Sequence, residues 1–290
     1  MRGPLQAKLT AGDAIDQAVQ RLDRARVPDA RHDAELLLAH LLGVDRSLLL
    51  TRRREPLDPS VSDPYDASID RRRRREPLQH ILGSQEFYGL SFRVDSRALI
   101  PRPETEGIVD AVLELDLPRR ARVADLGTGS GCIIVTLAHL RPDLEGYALD
   151  ISSTALELAH TNAAGYGVDD RIEFREGPMD PPPTDWHGRM DVVVCNPPYV
   201  TRGDWIELQR EVRDHDPRVA LVAGPSGLES YQAVIPASLG LLRPEGWLIL
   251  ELGYGQGPAV SELVLASGFR RPEIRPDLRG IPRILIAERP

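Results

Sequence analysis

The sequence predicts an α/β protein: a parallel sheet with helices on both faces, preceded by a small all-α helical bundle. Three observations carry this. From Arg122 onward, short apolar runs alternate with segments of helical period, the order expected of strands and crossover helices. From about Thr10 to Arg75 the period is helical throughout. A glycine-rich turn, Gly127 to Gly131, joins the first apolar run of the alternating part to its first helix.

A chain of 290 residues suits one large domain or two. Its 41% hydrophobic and 28% charged residues are ordinary for a globular protein. No apolar stretch reaches the roughly 18 residues needed to cross a bilayer. Met1 to Thr10 lacks the apolar core of a signal peptide. Cys132 and Cys195, the only cysteines, are too few for a disulfide framework or a cysteine-built zinc site. A cytoplasmic enzyme without a metal is the expectation. The net charge of −8 argues against broad nucleic-acid binding. Basic charge nevertheless clusters at Arg52 to Arg54 and Arg71 to Arg75, and only Lys8 is a lysine. The second cluster reads as a solvated helix face before it reads as a docking surface for an acidic partner.

In the first part, Ala14, Ile15, Ala18, Val19 and Leu22 recur at helical spacing, as do Ala34, Leu37, Leu38, Leu41 and Leu42. Thr10 and Asp13 are candidate N-terminal caps and Gly43 a stop. Pro56 to Pro64 is expected to break the chain before another helix. Four or five helices result, with no catalytic constellation, so docking or scaffolding is their default role. Glu86 to Val94, with Gly89 near its centre, predicts a β-hairpin. Ile100-Pro101-Arg102-Pro103-Glu104-Thr105-Glu106 is a stiff connector in which Thr105 or Glu104 is a candidate cap for the following helix. The domains are taken as 1–83, 84–106 and 107–290.

Candidate strands in the last domain are Arg122 to Asp125, Glu145 to Asp150, Ile172 to Glu176, Asp191 to Cys195, Trp247 to Leu252 and Ile284 to Glu288. Helical patterns lie at Ile133 to Leu140, Ser153 to Gly165, Leu228 to Leu241 and Ala259 to Ala266.

Asp125-Leu126-Gly127-Thr128-Gly129-Ser130-Gly131 is a strand end running into a turn where the backbone can approach a ligand closely. Its Gly-x-Gly-x-Gly spacing is one residue short of the dinucleotide fingerprint. Asp125 would repel phosphate there, but could accept hydrogen bonds from a ligand ammonium, directly or through water. Asp150 ends the next strand, the place from which a carboxylate reaches ribose hydroxyls. Together they suggest a nucleoside with a cationic amino-acid tail, which S-adenosylmethionine fits better than NAD.

Asp191 to Cys195 ends abruptly in Asn196-Pro197-Pro198-Tyr199. Two prolines cannot continue a sheet ladder, so this is a stiff turn whatever else it does. An amide nitrogen is a poor nucleophile. The Asn196 side-chain oxygen and the Pro197 carbonyl could each accept one of its N–H bonds, holding it toward an incoming methyl and stabilising the developing positive charge. The Tyr199 ring could pack flat on the substrate plane.

The sequence resembles the HemK/PrmC family, the peptide chain release factor glutamine methyltransferases. The resemblance covers nearly the whole chain: Glu76 to Gly83, Glu86 to Leu90, Ile100 to Glu106, Asp125 to Gly131, Asn196 to Tyr199 and Asp277 to Gly280. It implies an N-terminal helical bundle, for which release-factor docking is the default role, a hairpin linker and a Rossmann-like methyltransferase domain. The implied activity is methylation of the glutamine side-chain amide in the Gly-Gly-Gln motif of class 1 release factors, leaving S-adenosyl-L-homocysteine. By the family pattern Gly127 to Gly131 and Asp150 bind the cofactor, and Asn196 to Tyr199 hold the glutamine, with Asn196 also near the cofactor. A monomer is expected, with no direct binding of nucleic acid.

Two departures stand out. The polar-acidic pair that holds adenine in the family, with the apolar or aromatic residue after it, reads Gly177-Pro178-Met179 here. Met179 is left as an apolar shelf, with Asp180 as the one acidic substitute. The usual Tyr-Glu-Pro reads His215-Asp216-Pro217, and a Gly-Gly reads Ala223-Gly224. Competing readings are an adenine-amino methyltransferase acting on a flipped base and a cofactor-binding protein that has lost catalysis.

Overall fold

The computed structural model describes residues 9–290. Lys8 and most of the segment read as lacking a signal peptide therefore lie outside the described residues. The chain forms two compact units. One takes the residues up to Gly83 together with Arg210–His215; the other takes Ser84–Gln209 and Asp216–Pro290.

In the first unit, α1 (Ala11–Arg24) opens on a capping box: the Thr10 hydroxyl accepts from the Asp13 amide, and the Asp13 carboxylate accepts from the Thr10 amide. Ile15, Ala18 and Leu22 of α1 join Leu37 and Leu38 of α2 (Ala30–Leu42) in the core. Each such Leu or Ile contributes roughly 1.5–3 kcal/mol relative to exposure. Gly43 ends α2 in the left-handed conformation (φ 63°). Next come α3 (Arg46–Thr51) and α4 (Pro59–Arg73). The proline-rich break is shorter than the sequence predicts. Asp58 accepts from the Ser60 amide and Pro59 sits in the first turn, so α4 starts there and runs through Pro64. The unit closes with α5 (Leu78–Leu82).

The arginine run at the end of α4 is not a simple solvated face. Arg72 is buried, its Nε 2.6 Å from Asp33 Oδ2 and its Nη2 2.9 Å from Glu211 Oε1. Arg75 takes the other Glu211 oxygen at 2.7 Å, and Arg71 pairs with Glu76. Only Arg73 and Arg74 of the five are exposed.

The second unit starts with the hairpin β1 (Ser84–Phe87) and β2 (Leu90–Arg93). Tyr88 and Gly89 both have positive φ, 53° and 73°, which gives the two-residue turn whose twist matches the strands. Phe87 and Phe92 meet edge to face, 6.1 Å apart, and are buried in the same core as the helices that follow. The rest runs α6 (Glu106–Leu113), β3 (Arg122–Leu126), α7 (Cys132–Leu140), β4 (Glu145–Asp150), α8 (Ser153–Gly165), β5 (Ile172–Glu176), β6 (Met190–Cys195) and β7 (Val200–Thr201). After α9 (Arg210–His215), which belongs to the helical unit, come β8 (Val222–Gly224), α10 (Glu229–Leu241), β9 (Leu242–Glu251), α11 (Gly257–Ala266), β10 (Arg270–Pro276) and β11 (Pro282–Glu288).

The seven-stranded sheet has the order β10-β11-β9-β6-β3-β4-β5. Five strands are parallel, as the alternation predicts, but β11 is antiparallel to β9 and β10 to β11. The turn at 277–281 is too short for the crossover that a parallel pair requires. Successive residues of β6 alternate between two cores: Val192 and Val194 face the helices α6 to α8, and Val193 and Cys195 face α10 and α11.

Candidate active site

β6 lies directly beside β3, so the turn after Cys195 and the turn after Leu126 emerge as neighbours at the carboxyl edge of the sheet. A cavity of about 480 Å³ opens there. Of the residues singled out from sequence, Gly127, Thr128, Gly129, Ser130, Asp150, Met179, Asn196 and Pro198 line it. Asp125, Gly131, Pro197 and Tyr199 do not line it.

The glycine turn is held by its own amides. The Gly127 and Thr128 N–H groups both donate to the Leu149 carbonyl, at 2.8 and 3.0 Å, and the Gly129 N–H donates to Asp150 Oδ2 at 2.9 Å. Those three amides are spent within the protein, so this is no cradle for a pyrophosphate, which agrees with the glycine spacing. Gly131 caps α7 at φ 79°, and a Cβ there would lie 3.0 Å from the Ala159 Cβ. Only glycine lets α7 and α8 approach so closely.

Asp150 receives the Gly129 and Ser152 amides on opposite oxygens, both at 2.9 Å. Burial raises its pKa, and these two amides oppose the rise. Each oxygen keeps a lone pair for a ligand hydroxyl. Asp125 is fully buried. Its Oδ2 accepts from the Thr128 hydroxyl at 2.8 Å, and its Oδ1 has no hydrogen-bond partner among the described residues. Burial pushes this carboxyl up to about 7, with the Thr128 hydroxyl pulling it down and the Asp150 charge adding to it. Direct contact from Asp125 to a ligand in the cavity is thus not what the structure provides; Asp125 carries negative potential beneath the loop. An orphaned acidic oxygen under the turn and a ribose-ready carboxylate beside it fit a nucleoside with a cationic tail. At the other end Gly177, Pro178, Met179 and Asp180 form the wall where adenine is expected.

On the reacting side, Asn196 is joined to a buried acid. Its Nδ2 donates to Thr105 Oγ1 at 3.2 Å, and the Thr105 hydroxyl donates to Glu251 Oε2 at 2.6 Å. Tyr199 donates its hydroxyl to Glu251 Oε1 at 3.3 Å, and its backbone carbonyl accepts from Gln256 Nε2 at 3.1 Å. The Tyr199 hydroxyl is therefore turned toward the protein interior. Burial pushes Glu251 up to about 7, against the pull of Thr105, Arg283 and Tyr199 and with Glu104 adding to the rise. Thr105 does not cap α6 as the sequence suggests: it has helical φ and ψ, and its hydroxyl is committed to Glu251.

Residues 13–83 match the family model described as the PrmC N-terminal domain, and residues 109–211 match the one described as the methyltransferase small domain. The chain is 40% identical to the release factor glutamine methyltransferase of Cereibacter sphaeroides, over 97% of this chain and 99% of that protein. It is 41% identical to the one from Moorella thermoacetica, again over 97% and 99%. The chain belongs to the release factor glutamine methyltransferase family. Among solved structures, the catalytic domain of hMettl16 bound to a MAT2A 3′UTR hairpin superposes with a TM-score of 0.57 at 21% identity, covering 78% of this chain and 81% of that one. That likeness is one of fold.

Within this family member, the sequence reading overlooked Glu251. A signal for it was present: an acid closing a buried apolar strand at the carboxyl edge, the pattern that had marked Asp150. Arg102, from the connector, pairs with Asp216 Oδ2 at 3.1 Å, so the altered His215-Asp216-Pro217 segment still offers an acid to the connector. Burial lifts Asp216 to about 6, and Arg102 opposes that rise.

Proposed function

We propose that the enzyme methylates the side-chain amide nitrogen of the glutamine in the Gly-Gly-Gln motif of class 1 peptide chain release factors, using S-adenosylmethionine. The observation that carries this reading is that Asn196 and Pro198 line the same cavity as Gly127 to Ser130 and Asp150. Family membership names the substrate class.

Asp150 would hold the ribose hydroxyls, Met179 would lie against adenine, and Asp125 with Thr128 would favour the cationic tail. When bound, the cofactor supplies a methyl group on a positively charged sulfur. The Asn196 oxygen would accept one N–H bond of the glutamine amide, and the carbonyl of Pro197, next to it in the turn though outside the cavity lining, would accept the other, fixing the nitrogen and stabilising the positive charge that grows on it. The methylated nitrogen is acidic enough to lose its proton without a strong base. Pro198 forms part of the cavity wall and would keep water from the reacting nitrogen, while Tyr199 braces the turn from behind. The helical unit would serve in docking the factor. In this reading the enzyme acts in the cytoplasm as a monomer, with the release factor as its partner.

Methyl-labelled S-adenosylmethionine is the test. It is incubated separately with a release factor, with the Gln→Ala variant of its Gly-Gly-Gln motif, and with duplex DNA. Label on the wild-type factor alone is expected. Label on DNA, or on the variant as strongly as on the wild type, would overturn the reading.

A further inference from the structure

The Asn196 amide can serve as an acceptor only if its oxygen, rather than its NH₂, faces the cavity. The two ends of an amide are nearly equal in size, so packing selects between them weakly. A hydrogen-bond chain makes the selection here. Thr105 and Glu251 are 3% and 2% exposed, so water does not compete for them. Above about pH 7, where Glu251 is ionised, its carboxylate only accepts, and the Thr105 hydroxyl has one proton, which it gives to Glu251 at 2.6 Å. The Thr105 oxygen is then left as an acceptor, and the Asn196 Nδ2 at 3.2 Å donates to it.

We propose that Glu251, acting through the Thr105 hydroxyl, is the positioning group that turns the Asn196 oxygen toward the cavity. With the amide reversed, an NH₂ would confront the N–H bonds of the substrate amide, donor against donor. The second Glu251 oxygen takes the Tyr199 hydroxyl, so one buried acid steadies both ends of the Asn-Pro-Pro-Tyr turn. The connector motif that supplies Thr105 thereby acquires a chemical role besides stiffness. The inference rests on the reading of Asn196 as the acceptor for glutamine.

The test uses the composition of the chain. Asn162 and Asn196 are its only asparagines, so ¹⁵N-labelling of asparagine side chains gives two amide pairs. Asn162, bonded through Nδ2 to the Arg93 and Ser130 carbonyls, reports that the protein is folded. In Thr105→Val, solvent exchange of the Asn196 pair is expected to accelerate by roughly 10-fold. With release factor as substrate, kcat is expected to fall roughly 10- to 100-fold through misplacement of the acceptor. KM for the factor and Kd for S-adenosylhomocysteine should stay within about twofold. Thr105→Ser, which keeps the hydroxyl, should restore both readouts. Should Thr105→Val not fold, Thr105→Val in a Glu251→Gln background leaves no buried charge unpaired and carries the same expectations. Unchanged Asn196 exchange would overturn the proposal, as would a loss of cofactor affinity that accounts for the fall in kcat. Failure of the wild type to methylate release factors would defeat the functional reading, while the exchange measurement would still decide the orientation.

Discussion

The Asp150 carboxylate reaches back from the end of β4 to the Gly129 amide, 2.9 Å away, and so ties the end of that strand to the centre of the glycine turn. One side chain both shapes the turn and presents two oxygens to the cavity. Asp150→Ala is expected to weaken S-adenosylhomocysteine binding by roughly 10- to 100-fold, the scale of losing one or two hydrogen bonds to a charged acceptor. Isothermal titration calorimetry measures it, and an unchanged Kd would remove Asp150 from the cofactor site.

Asn196→Ala tests the other half of the cavity. Removing one acceptor for the transition state should lower kcat by roughly 10²-fold or more. The loss should exceed any change in cofactor Kd, because the Pro197 carbonyl cannot substitute for a second acceptor. Single-turnover transfer to a release factor reads this directly. Transfer at the wild-type rate would contradict the assigned role.

Two acids give stability a defined pH dependence. Asp125 is raised from 3.8 to about 7 and Glu251 from 4.5 to about 7, both chiefly by burial. The folded state therefore binds these protons more tightly than the unfolded state. Their contribution to stability is fully present below about pH 4 and is lost as pH rises toward 7. Asp125→Asn and Glu251→Gln, each neutral at all pH values, should flatten the fall in Tm between pH 4 and 7. Thr105, Tyr199, Arg283 and Glu104 bear on Glu251, and Thr128 and Asp150 on Asp125, so the slopes should be compared in variants that leave these groups intact. Slopes identical to wild type would show that neither acid titrates in this range.

Arg72 holds two carboxylates, Asp33 and Glu211, at 2.6 and 2.9 Å in a buried setting. Arg72→Ala would leave both without their shared partner and should cost about 3–5 kcal/mol. Because Arg75 also pairs with Glu211, replacing Arg72, Asp33, Glu211 and Arg75 together with apolar or neutral side chains of similar volume should cost less than Arg72→Ala alone, since none of these charges is then left buried without its partner. Urea denaturation of the single and quadruple variants checks the ordering.

What the sequence disclosed follows the reach of local signals. Val192 to Val194 declared a buried strand by composition, and Gly127 to Gly131 declared a close-approach turn by spacing. The edge strand β10 escaped because Arg270-Arg271-Pro272-Glu273 carries the charge and proline that edge strands use against mispairing. Thr105 has the composition of a cap, and only the tertiary placement of Glu251, 146 residues away, assigns its hydroxyl elsewhere. The arginine run at 71–75 misled for the same reason, since the carboxylates of Asp33 and Glu211 that bury Arg72 are remote in sequence.

The helical unit is discontinuous: its chain stops at Gly83 and resumes for Arg210–His215, soon after the Asn-Pro-Pro-Tyr turn. A gene cut at codon 83 would consequently not yield a clean catalytic half. It would leave the catalytic half carrying a stray helix whose Glu211 had lost both Arg72 and Arg75. Exchange of the first segment between relatives would therefore succeed only where residues 210–215 travel with it.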